Sequence, residues 1–88
     1  MDQGPFNSTF VTMIKVLLFG AIKDHIGSAE LELNDMDSTE RVRQHLEREY
    51  PFISSTRYIL ALNQERVEGD RPVKDGDEIA LMPPFAGG

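Results

Sequence analysis

Apolar and polar residues recur along this chain with two periods, and the switch between them marks out its elements. Ile14 to Phe19 is a dense run of β-type residues that stops at Gly20. Ile14, Val16 and Leu18 fall on one face of such a strand; Lys15, Leu17 and Phe19 fall on the other. The lysine marks the second face as the outer one, which leaves Leu17 and Phe19 as apolar residues on a side expected to be wet. Ala21 to Ile26 predicts a short helix, ended by Gly27. Ala29 to Leu33 alternates Ala-Glu-Leu-Glu-Leu, the pattern of a half-buried strand.

The period then lengthens. Asp37-Ser38-Thr39-Glu40 sets capping side chains before an early acid and predicts a helix that runs to about Tyr50, where Pro51 ends it. Val42, Leu46 and Tyr50 form its apolar stripe with His45 at the edge, while Arg41, Arg43, Glu47, Arg48 and Glu49 form a solvated face. Tyr58 to Leu62 predicts a third strand. Asn63-Gln64-Glu65 turns it into a short fourth around Arg66-Val67, and Gly69 to Pro72 is loop. Asp75-Gly76 reads as a tight turn, and Glu78 to Met82 as the last strand. Here Ile79 and Leu81 point inward, whereas Ala80 and Met82 share the outer face with Glu78.

The order β, short helix, β, long helix, β, β, β predicts an α+β fold of the β-grasp, or ubiquitin-like, kind. Its mixed sheet has about five strands, crossed by one main helix, with first and last strands adjacent. Leu17, Phe19, Ala80 and Met82 then lie together on the face away from the helix, an apolar cluster suited to docking. Residues 1–12 show no period and read as a flexible extension, with Met13 as an alternative start. The competing expectation is that this extension folds over the apolar face through Phe6 or Phe10.

Beyond the domain at 13–82, residues 83–88 read as an extended tail. Pro83 and Pro84 end sheet pairing, because proline fixes φ and has no N–H to donate. Six residues at about 3.3 Å each reach roughly 20 Å. Phe85 is expected to anchor in a partner's groove, and Gly87-Gly88 to thread a channel too narrow for side chains. A carboxylate on such a stalk is suited to activation by adenylation and conversion to another acyl species.

Composition narrows the chemistry. Eighty-eight residues, 40% hydrophobic and 27% charged, fit one globular domain with a small core and little room for a deep substrate pocket. A net charge of −6 argues against nucleic acid and for a partner with a basic surface. Absence of cysteine removes disulfides, thiolate metal sites and cysteine nucleophiles. No run is long and apolar enough to span a membrane, and no signal-peptide layout opens the chain, so a cytoplasmic location is expected and Asn7-Ser8-Thr9 is a chance glycosylation pattern. His25 and His45 read as structural or solvated, and no metal site is expected. Asp70, Asp75, Asp77 and Glu78 lack calcium-loop spacing and suit a turn. Ser28, Ser38, Ser54 and Ser55 have no recognisable base, and no Gly-rich phosphate loop is present.

Ile14-Lys15-Val16-Leu17-Leu18-Phe19-Gly20, Gly27, the Asp75-to-Ala80 run and Pro83-Pro84-Phe85-Ala86-Gly87-Gly88 together resemble the small, sulfur-carrying subunits of molybdopterin synthase, the MoaD members of the MoaD/ThiS family. The resemblance covers Met13 to Gly88. The paired prolines favour MoaD over ThiS, the carrier for thiazole synthesis. The N-terminal extension and Gly20, where the family often has alanine, depart from the pattern and are expected to lie away from the chemistry. The resemblance implies that a ubiquitin-activating-like adenylyltransferase (MoeB-like) uses ATP to adenylate Gly88, and that a sulfur donor makes a thiocarboxylate there. It further implies docking on a large subunit (MoaE-like) in a heterotetramer, with Gly87-Gly88 inserted, and sulfur transfer to a cyclic pyranopterin monophosphate. Leu17, Phe19, Ala80, Met82, Pro83, Pro84 and Phe85 are the expected partner contacts. The chain itself would bind no cofactor and would not be an enzyme alone. A ThiS-like carrier, a ubiquitin-like protein modifier and a passive interaction module are the alternatives.

Overall fold

The computed structural model describes residues 12–84. Strand β1 (Met13–Leu18) and strand β2 (Glu30–Asn34) pair antiparallel, with Met13 opposite Asn34 and Leu17 opposite Glu30. Helix α1 (Gly20–Ile26) fills the connection and closes at Gly27, whose φ of 85° is one that glycine adopts without Cβ strain. The chain then forms helix α2 (Thr39–Glu49), a one-turn helix α3 (Pro51–Ser54) and strands β3 (Ile59–Leu62), β4 (Glu65–Arg66) and β5 (Glu78–Met82). The strand order is β2-β1-β5-β3-β4, with β5 parallel to β1 and antiparallel to β3. The first and last strands are therefore adjacent, as expected, and the last is the central one.

Parity decides what the sheet buries. Ile14, Val16 and Leu18 of β1 and Ile79 and Leu81 of β5 are almost wholly shielded, and pack with Val42 and Leu46 of α2, Ile22 of α1 and Ile53 of α3. Burying each such side chain is worth about 1.5–3 kcal/mol relative to exposure. The N-terminus of α2 is held from both sides of the sequence. Ser38 Oγ accepts the Arg41 N–H at 3.1 Å, and Asp70, from a distant loop, accepts the Glu40 N–H at 2.9 Å. Thr39, the one buried polar residue among those described, is satisfied by donating to Asp70 at 3.2 Å and accepting the Arg71 N–H at 2.9 Å.

Two local expectations are corrected. Pro51 does end α2, yet it also opens α3 from the first position, where its missing N–H costs nothing and its φ is already helical. That extra turn buries Ile53 and stacks Phe52 on His25 of α1, ring centroids 4.1 Å apart. The fourth strand is Glu65–Arg66, one residue earlier than Arg66-Val67. Asn63 (φ 50°) and Gln64 (φ 73°) together make a two-residue hairpin turn that pairs Leu62 with Glu65.

Candidate docking face and tail exit

The face of the sheet away from α2 carries an apolar strip. Leu17 stands opposite Ala80 across the parallel pair, Ala61 opposite Ala80 across the antiparallel one, and Ile59 opposite Met82. With Phe19, 43% exposed, Leu17, Ala61, Ala80 and Met82 border a shallow groove of about 300 Å³ that Gln64 and Glu78 close at one end. The structure thus brings Leu17, Phe19, Ala80 and Met82 onto one surface. Sequence reasoning missed Ile59, Ala61 and Gln64. Ile59 and Ala61, two apart along β3, held the signal, but only the β3–β5 register assigns them to this face. The surround is ionic: Lys15 lies 3.8 Å from Glu30, and Glu32 sits opposite Lys15 in the ladder.

β5 leads from this groove to the tail. Pro83 and Pro84 are exposed, and Phe19 N–H donates to Leu81 O at 3.2 Å as the last rung before them. Gly20 lies beside this exit. Its φ is 61°, and a Cβ built on it would sit 3.1 Å from Pro83 Cγ. Phe85, Ala86, Gly87 and Gly88, and the extension bearing Phe6 and Phe10, lie outside the described residues.

The other candidate sites resolve into structure. Asp75 accepts the Met13 N–H at 2.9 Å, while Asp77 accepts the Lys74 N–H at 2.7 Å and the Asn63 side-chain amide at 3.1 Å. The Lys74 hydrogen bond foremost, then that from Asn63, holds the Asp77 carboxyl below its usual range. No three His, Asp or Glu residues come together as metal ligands among the described residues, and none of the described helices is long and apolar enough to cross a membrane. A depression of about 490 Å³ lies on the helix side between α2 and Tyr58. Four of its polar groups, Glu40, Arg43, Glu47 and Tyr58, pair with one another. Arg43 is bonded to both Glu40 and Glu47, the Glu40 bond raising its pKa, and Tyr58 donates to Glu47 at 2.9 Å. Burial first, and that hydrogen bond second, push the phenol far up, so it stays neutral.

The model of the ThiS family matches residues 16–88, from within β1 to the closing glycines. The chain belongs to the ThiS/MoaD family. Among its relatives are molybdopterin synthase sulfur carrier subunits of Escherichia coli, 36% identical over 86% of this chain and 100% of that protein, and of Dictyostelium discoideum, 40% identical over 84% and 94%. A solved complex of subunits 1 and 2 of the molybdopterin-converting factor of Helicobacter pylori contains a chain 29% identical to this one. It superposes with a TM-score of 0.67 over 88% of this chain and 100% of its own. Both the groove-lining residues and the Pro-Pro exit fall inside the family match.

Proposed function

We propose that this chain is the sulfur-carrying small subunit of a molybdopterin synthase, acting in the cytoplasm. The reading rests on one juxtaposition: an apolar groove that β5 runs through, next to the point where β5 hands over to the Pro-Pro-Phe-Ala-Gly-Gly segment. Relatives named as sulfur carriers support it. Leu17, Phe19, Ala80 and Met82, continued by Pro83, Pro84 and Phe85, form the surface that partners grip. Those partners are a large subunit, as in the two-subunit Helicobacter complex, and a ubiquitin-activating-like enzyme of the MoeB kind.

A carboxylate is a poor electrophile until one of its oxygens carries a leaving group. In this reading a Gly88 oxygen attacks the α-phosphorus of ATP held by the activating enzyme, and pyrophosphate departs. A sulfur nucleophile then displaces AMP and leaves a thiocarboxylate. In a heterotetramer with MoaE-like subunits, Gly87-Gly88 reach the active site, and the sulfur passes to a cyclic pyranopterin monophosphate. Docking supplies proximity; acid and electrostatic assistance belong to the large subunit. The chain holds no cofactor of its own, since ATP is bound by its partner.

Intact-mass measurement of the protein purified from its own host tests the proposal. An oxygen-to-sulfur mass increase at the C-terminus is expected, and is lost when Gly88 is deleted while the domain stays folded. Isopeptide adducts on other proteins instead, or transfer that persists without Gly88, would overturn it.

A further inference from the structure

We infer that Arg57 is a specificity-determining residue of the docking face: a cation set where the chain leaves the sheet, matched to a carboxylate on the surface of the large subunit. The inference rests on the sulfur-carrier reading and deepens it by naming the chemistry of the surface that grips the groove.

The position of Arg57 follows from the register. Ile59 pairs with Met82 in antiparallel β3 and β5, so Arg57, two residues ahead of Ile59, comes level with the Pro-Pro segment. There it borders a cleft of about 100 Å³ together with Phe19 and Pro83, and Phe19 borders the apolar groove as well. The docking face thus continues around the exit to a guanidinium. Both neighbours of Arg57 are tied down: Thr56 Oγ1 donates to Phe52 O at 3.0 Å, and Tyr58 donates to Glu47 at 2.9 Å. The arginine between them is exposed, and among the described residues it forms no ion pair. Glu40 and Glu47, which share the helix-side depression with it, are bonded to Arg43 instead.

The rest of the face gives this cation a direction. Lys15 is already engaged by Glu30, and the end of the groove far from the exit is closed by Gln64 and the acidic Glu78. Four steps along β5, about 3.3 Å each, put roughly 13 Å between Glu78 and Met82. Acid, apolar surface and base therefore follow one another along the groove. A complementary surface carries a basic group beyond the acidic end and a carboxylate where it receives the tail, so it fits in one orientation. Such charge matching sets specificity and register, and the planar guanidinium can hold both oxygens of one carboxylate.

Calorimetry of the full-length carrier with the large subunit of its own host tests this, with wild type, Arg57→Met, Arg57→Glu and Arg48→Met compared and thermal unfolding recorded in parallel. Methionine keeps an unbranched apolar stem and removes the charge. Arg57→Met should bind about tenfold more weakly, and Arg57→Glu about a hundredfold or more, because like charges then face each other. Tm should change little, since the site is exposed. Arg48→Met removes the same charge from α2, on the other side of the sheet, and should bind as wild type does. Wild-type affinity in Arg57→Met, or binding by Arg57→Glu no weaker than by Arg57→Met, overturns the inference. An equal loss in Arg48→Met overturns it too, by tracing the effect to net charge. Wild type that binds no large subunit overturns the sulfur-carrier reading and this inference together, whereas tight wild-type binding with indifferent Arg57 variants overturns the inference alone.

Discussion

Asp77 joins two parts of the chain through one carboxylate. It takes the Lys74 N–H within its own turn and the Asn63 amide from the β3–β4 hairpin, while Asn63 Oδ1 accepts the Glu78 N–H at 3.0 Å. Its folded pKa lies below the ordinary 3.8, so the unfolded chain takes up the proton first as pH falls. The stabilisation is therefore complete above pH 3.8 and disappears as pH drops through the folded value. Denaturant unfolding between pH 5 and 2 checks this: Asp77→Asn should be less stable than wild type at pH 5, with the gap closing towards pH 2. A gap that stays constant would contradict the assignment. The turn itself was legible, because Asp75-Gly76 announces one. Asn63 was not, since its partner is 14 positions away and only the fold brings them together.

Helix α2 shows the same division one level up. Ser38 was recognisable as its cap from the local pattern, and Val42 and Leu46 as its buried stripe. Asp70, the second cap, comes from a loop that sequence alone describes only as a turn. Asp70→Ala should cost about 1 kcal/mol, read as a Tm lower by about 4–8 °C. Leu46→Ala, which empties a fully buried site, should cost about 2–5 kcal/mol. A smaller effect than Asp70→Ala would mean that α2 is held by its end rather than its face. Pro51 is more than a stop. Local rules give Pro51 both meanings, and packing of Ile53 into the core selects the second.

For the molecule as a whole, the sheet's two faces are what the alternation in β1 and β5 spelled out. The groove's far wall, on β3, needed the register. Phe19→Lys and Met82→Lys each place a charge on the docking face without entering the core. Each should weaken binding of the large subunit by about tenfold or more, measured by calorimetry, with Tm little changed; undiminished affinity in both would remove this face from the interface. Placement of β5 has a further effect on how the protein is made. Among the described elements β5 is synthesised last, and among the described strands it alone bridges the β1–β2 pair and the β3–β4 hairpin. A nascent chain stopped before Glu78 holds two halves with no common strand and only part of the groove. Interrupted translation products would therefore present no grip to the machinery that loads sulfur, and proteases rather than partners would meet them first.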